Sequence, residues 1–129
     1  MGPAQIHFER LKRRFAEATM VELASGAGWC VRVPSVNLAA GWSKTTTCVL
    51  FVAPPAYPFA NLDCFWTDAD LRLANGAMPQ NSQLNNPVPP GITEPLLWFS
   101  WHLKQPWNPN RDDFGTWMAV VQKRLAFAQ

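Results

Sequence analysis

Few side chains in this sequence combine the type and the spacing that chemistry needs, and Ser100-Trp101-His102 is the sharpest set. If Trp98–Leu103 is extended, residues at i and i+2 share a face, so Ser100 and His102 point the same way. A serine hydroxyl is a poor nucleophile until a base takes its proton, and a neutral imidazole within hydrogen-bond reach can take it. Ser100 is the only hydroxyl or thiol between Leu96 and Trp107. The competing reading makes Ser100 a small loop residue and lets His102 cap or pack under Trp98, Trp101 and Trp107. Those indoles could shield the site from water, or they could be ordinary aromatic packing.

Cysteine is the other nucleophile type. Cys64 sits between Asp63 and Phe65-Trp66 in a strand-like run, Leu62 to Thr67. A thiolate outperforms a hydroxyl, but no cation lies nearby in sequence to lower the Cys64 pKa. Free cysteines are usually buried, so core packing is expected for Cys64 as for Cys30 and Cys48. An odd number of cysteines does not read as a disulfide framework. There is no CxxC spacing, and neither His7 nor His102 has an HxxxH-type partner. No metal and no cofactor are expected.

Asp112 and Asp113 could orient a histidine or a lysine substrate, yet a helix start already gives them a structural role. Arg10, Lys12, Arg13 and Arg14 form a basic cluster, either a solvated face or a partner surface.

The elements that must position these groups are legible from pattern. Residues 4–18 carry Phe8, Leu11 and Phe15 at helical spacing with charges between, which predicts an amphipathic N-terminal helix. Ser25–Gly28 is a turn. Trp29–Val33 and Thr46–Val52 are β-branched and aromatic, and they predict neighbouring antiparallel strands. Val21–Leu23 and Leu62–Thr67 supply a leading and a fourth strand. Ten of the twelve prolines fall between Pro54 and Pro109, which argues against long helix or central strand there. Within that stretch, residues 75–95 read as a long functional loop. Pro109–Asp113 then offers capping groups for a helix whose stripe is Phe114, Trp117, Met118, Val121 and Leu125.

A chain of 129 residues is one domain's worth, spanning 1–129. Hydrophobic residues at 48% and charged residues at 16% argue for an ordered globule. Seven Trp and eight Phe predict an aromatic core. A net charge of +2 is too small for a nucleic-acid binder. No run approaches the roughly 20 apolar residues of a membrane span. The charged N-terminal stretch does not read as a signal peptide, so a cytoplasmic location is expected.

The order helix, four meandering strands, Pro-rich connection, helix is α+β, and it resembles the ubiquitin-conjugating-enzyme fold. Ala53-Pro54-Pro55-Ala56-Tyr57-Pro58-Phe59 looks like that family's Tyr-Pro turn after the third strand. Trp107-Asn108-Pro109 is similar to its Trp-Ser-Pro segment before the helix that follows the catalytic stretch. Leu71–Gly76 and Trp98–Leu103 resemble a divergent prokaryotic branch. The likeness covers about residues 20 to 127.

Two departures stand out. The His-Pro-Asn tripeptide is missing, with Thr67-Asp68-Ala69-Asp70 roughly in its place. The catalytic Cys is missing too; counting back from Trp107 lands near Phe99–Ser100.

The resemblance implies a carrier that accepts an activated ubiquitin-like protein from an activating enzyme. On Ser100, with His102 as base, the product would be an oxyester, later passed to a target amine. It also implies that Arg10, Lys12, Arg13 and Arg14 dock the activating enzyme, with Trp101 and Trp107 at the site. The expected state is a monomer, alone or with that enzyme. The company such genes keep suggests a defence role, including against phage. The alternatives are a catalytically inactive scaffold of the same fold, or an unrelated interaction protein.

Overall fold

Pro3 presets φ for a first helical turn, and α1 runs Pro3–Lys12, burying Ala4 and Leu11. It ends earlier than the sequence pattern predicts. The amides of Arg14 and Phe15 both bond to Leu11 O, tightening the chain so that Phe15 still packs on the core from beyond the helix end. The computed structural model describes residues 1–129.

Strands β1 (Thr19–Glu22), β2 (Trp29–Asn37), β3 (Thr46–Ala53) and β4 (Phe65–Asp68) form an antiparallel meander. At the β1–β2 turn, Gly28 has φ +101°, and a Cβ there would lie 2.0 Å from Ala53 O, so only glycine fits. β2 continues past Pro34 through a register shift between Val33 and Val36, where Ser35 is left-handed. That bulge absorbs the missing proline N–H.

The sheet has six strands, not the four expected. β5 (Ser82–Leu84) and β6 (Leu96–Phe99) come from the Pro-rich stretch, and the spatial order is β1-β2-β3-β4-β6-β5. β6 is an interior strand, which corrects the expectation for that region. Its four residues, Leu-Leu-Trp-Phe, begin directly after Pro95, so the ladder loses no donor. β4 starts three residues later than expected because Cys64 adopts φ +62°.

Alternation along the strands sends Val31, Val49, Phe51, Phe65, Leu97 and Phe99 to one face. There they meet Phe114, Trp117, Met118, Val121 and Leu125 of α2 (Phe114–Leu125). The opposite face carries Leu23, Cys30, Leu50, Trp66 and Leu96. Residues 85–95 lie over it. Ile92 packs on it, Trp66 Nε1 donates to Pro87 O at 2.8 Å, and Arg32 pairs with Glu94.

Helix α2 starts at a reciprocal cap. Asp113 accepts from Thr116 N at 3.0 Å, and Asp113 N donates to Thr116 Oγ1 at 3.1 Å. Arg10 of α1 donates to Asp113 Oδ2 at 2.9 Å, joining the two helices. Burial pushes the Asp113 carboxyl up, but Arg10 and the Thr116 amide outweigh it and hold the pKa below the ordinary value. A depressed carboxylate stabilises the fold above the unfolded pKa of about 4, and that contribution is lost as pH falls through the folded value. Asp113→Ala is expected to cost about 1–2 kcal/mol near neutral pH. In thermal melts the gap between the wild-type protein and this variant should close on acidification. A gap unchanged down to pH 2 would refute the assignment.

Candidate active site

Two of the motifs that carry the resemblance, the Tyr-Pro turn and the Trp107 segment, form one packed cluster. Tyr57, 5% exposed, stacks on Phe114 with ring centroids 4.6 Å apart, and its hydroxyl meets His7 Nδ1 at 2.6 Å. Trp107 Nε1 donates to Pro58 O at 2.7 Å. The Tyr-Pro turn, the Trp107 segment, α1 and the start of α2 are therefore locked together. That fixes where residues 100–107 leave the sheet. His7, which sequence spacing leaves without a role, closes this cluster. Burial and Arg10 both lower its pKa.

Beyond Phe99 the chain is no longer strand, but it is held on both sides. Ser100 N donates to Asn81 O, and Cys64 N donates to Trp101 O, each at 2.8 Å. The β4–β6 register pairs Phe65 with Phe99, so Cys64 and Ser100 are the next positions outward on the two chains. Ser100 is half-buried there, and His102 is exposed.

The His102 ring does not bond to Ser100. Its Nδ1 is hydrogen-bonded to Asp63 Oδ1, across 39 positions of sequence. Asp63 is the residue that sequence reasoning missed. Its only sequence signal is its place beside Cys64, since nothing in the spacing links 63 to 102. Ligand atoms of Asp63, Cys64 and His102 lie within 4.8 Å of one another, so the structure joins the histidine to the thiol expected only to pack. Burial raises the Cys64 pKa, opposed by a backbone hydrogen bond at Trp101 and assisted by the Asp63 charge. At neutral pH Cys64 is thus a thiol that needs a base.

Two clefts flank His102. One, of about 590 Å³, runs between residues 101–106 and α2, walled by Trp101, Leu103, Thr116, Val120 and Phe127. Its floor includes Arg124, 3% exposed, whose guanidinium lies 5.2–5.7 Å from the rings of Trp42, Phe99 and Trp101. That guanidinium donates to the carbonyls of Gln80, Phe127 and Gln129. The other cleft, of about 480 Å³, is bounded by Phe59, Asn61, Asp63 and Trp107. Phe59 is 80% exposed at its edge.

Cys30 is buried, its thiol raised to about 11 by burial. Cys48 is half-buried against Arg32. Asp112 closes the 108–112 loop by accepting from Asn108 N at 2.8 Å. Arg10 pairs with Asp113, and Lys12 pairs with Glu9 while lying over Phe8. Arg13 follows α1, and Arg14 lies over the Phe15 ring. Asp68 and Asp70, where the family tripeptide would fall, both accept from Lys44 and offer no donor to an oxyanion.

No helix is long and apolar enough to cross a membrane. The family model described as prokaryotic E2 family E matches residues 11–128. No curated protein and no solved structure matches the chain.

Proposed function

Because the chain belongs to prokaryotic E2 family E, we propose that it carries the activated C-terminus of a ubiquitin-like protein from an activating enzyme to a target amine. The observation that supports catalysis is the His102–Asp63 hydrogen bond, a base oriented by a carboxylate, with Cys64 next to that carboxylate in the chain and Ser100 two residues before the base. In this reading His102 takes the Ser100 hydroxyl proton as Oγ attacks the carbonyl carbon of the incoming thioester. The leaving thiol of the activating enzyme receives that proton, and an oxyester remains on Ser100. Attack by the target amine forms an amide and returns the hydroxyl. Arg10, Lys12, Arg13 and Arg14 on and after α1 form the activating-enzyme surface of this proposal, with Trp101 and Trp107 beside the ester. A cytoplasmic setting belongs to it as well.

A second reading has a specific observation in its favour. The Cys64 sulfur lies within 4.8 Å of a ring nitrogen of His102, which would make the carried bond a thioester and leave Ser100 as its neighbour.

One experiment separates them: incubation with the cognate activating enzyme, ATP and ubiquitin-like protein, followed by intact mass and peptide mapping. The expected adduct maps to Ser100, resists thiol reductant and is released by mild base. A reductant-labile adduct on Cys64 would move the nucleophile and keep the function. Tight binding with no adduct would leave a scaffold and end the enzyme reading.

A further inference from the structure

We propose that Asp63, Cys64 and His102 form a binding site for zinc, or for a divalent cation of similar softness. One potential ligand atom from each residue lies within 4.8 Å of the other two. Thiolate sulfur, imidazole nitrogen and carboxylate oxygen are the three donor types zinc accepts. Sulfur and nitrogen together disfavour magnesium and calcium, which take oxygen.

The mechanical arrangement suits a metal. Cys64 is the fixed member: its φ is +62°, and its amide is tied to Trp101 O at 2.8 Å. The two others are adjustable, with the side chains of His102 and Asp63 64% and 52% exposed. They can therefore close onto a cation held at Cys64 without disturbing the core. Asp63 and His102 also line the 480 Å³ cleft, which gives the cation a way in and room for a water. Three protein ligands leave a fourth tetrahedral position for that water.

The charges also sum correctly. Cys64 releases its thiol proton to solvent as the metal–sulfur bond forms, His102 coordinates as neutral imidazole, and Asp63 is anionic. A thiolate and a carboxylate cancel a dication, so no residual charge is left at a half-buried thiol. The site is invisible to spacing rules because β4–β6 pairing, rather than a local motif, brings residue 102 to residues 63 and 64.

Metal binding stands without any assumption about the reaction. Its consequence rests on the carrier reading: a bound cation occupies both His102 and Cys64, so ester formation should stop with zinc and resume with a chelator. The decisive test needs no activating enzyme. The reduced protein is titrated with Co²⁺ and followed by absorption, then back-titrated with Zn²⁺. A thiolate-to-cobalt charge-transfer band that saturates at one equivalent and is displaced by zinc is expected. Cys64→Ser should abolish the band, and His102→Ala and Asp63→Asn should each weaken binding at least about 10-fold. Cys30→Ala and Cys48→Ser should leave it unchanged. No saturable band, a band that survives Cys64→Ser, or affinity indifferent to both His102→Ala and Asp63→Asn would overturn the site. If binding behaves as stated but zinc leaves ester formation untouched, the carrier reading of His102 fails and the metal site remains.

Discussion

His102→Ala should slow formation of the carrier ester by about 10²–10⁴-fold, the usual contribution of a positioned general base. The size follows from the chemistry of either nucleophile. Ser100 is a neutral hydroxyl, and Cys64 is kept protonated by burial, so neither attacks well until a base takes the proton. His102 is the only imidazole at this end of the sheet, since His7 is committed to Tyr57. Its side chain is 64% exposed, so its removal opens no cavity and the melting temperature should barely move. Single-turnover adduct formation at saturating activating enzyme is the measurement. Asp63→Asn keeps a hydrogen-bonding group but loses the charge, and its rate should fall between the wild type and His102→Ala. An unchanged rate in His102→Ala would remove the histidine from the mechanism and leave it as a cleft wall. The same assay with Ser100→Ala and Cys64→Ala then names the atom that carries the ester.

The parts of this molecule that announce themselves in sequence are those whose cause is local. Helix α2 is an example: Asp113 and Thr116 cap it reciprocally, and its apolar stripe recurs at helical spacing up to Leu125. The first four strands are legible because β-branched and aromatic runs are separated by Gly and Pro breaks. Strands β5 and β6 are hidden because the prolines around them dominate the pattern. Only pairing with β4 on one side and β5 on the other makes Leu96–Phe99 a strand. Helix α1 is shorter than its pattern predicts for a different reason. Phe15 keeps helical spacing with Leu11 but reaches the core through a tight turn.

The site divides in the same way. Ser100 and His102 are visible as a pair of types two residues apart. The partner that orients His102 is 39 positions away and is delivered by sheet register, which no local pattern encodes. Cys64 looks like a core residue because it lies in an apolar run. Its left-handed backbone takes it out of the ladder and sets it beside His102.

Trp117 should show the largest stability effect, and its two substitutions should differ sharply. It is fully buried in the middle of α2 against the sheet, and its indole Nε1 has no hydrogen-bond partner. Trp117→Ala removes the whole ring system and should cost about 3–5 kcal/mol. Against a net stability of about 5–15 kcal/mol, that loss brings a domain of this size close to unfolding. Trp117→Phe leaves a smaller void and also removes a buried, unpaired N–H, which itself costs about 1–3 kcal/mol. The two effects oppose each other, so Trp117→Phe should lie within about 1 kcal/mol of the wild type. Urea midpoints at constant slope will decide it. A Trp117→Phe loss of about 2 kcal/mol or more would mean that the void governs the site and the unpaired N–H carries little penalty. The comparison reaches function through the helix. Thr116, Val120 and Arg124 project from α2 into the cleft beside His102. Trp117→Phe should keep that wall and retain ester formation at 25 °C, whereas Trp117→Ala should lose ester formation in step with the helix.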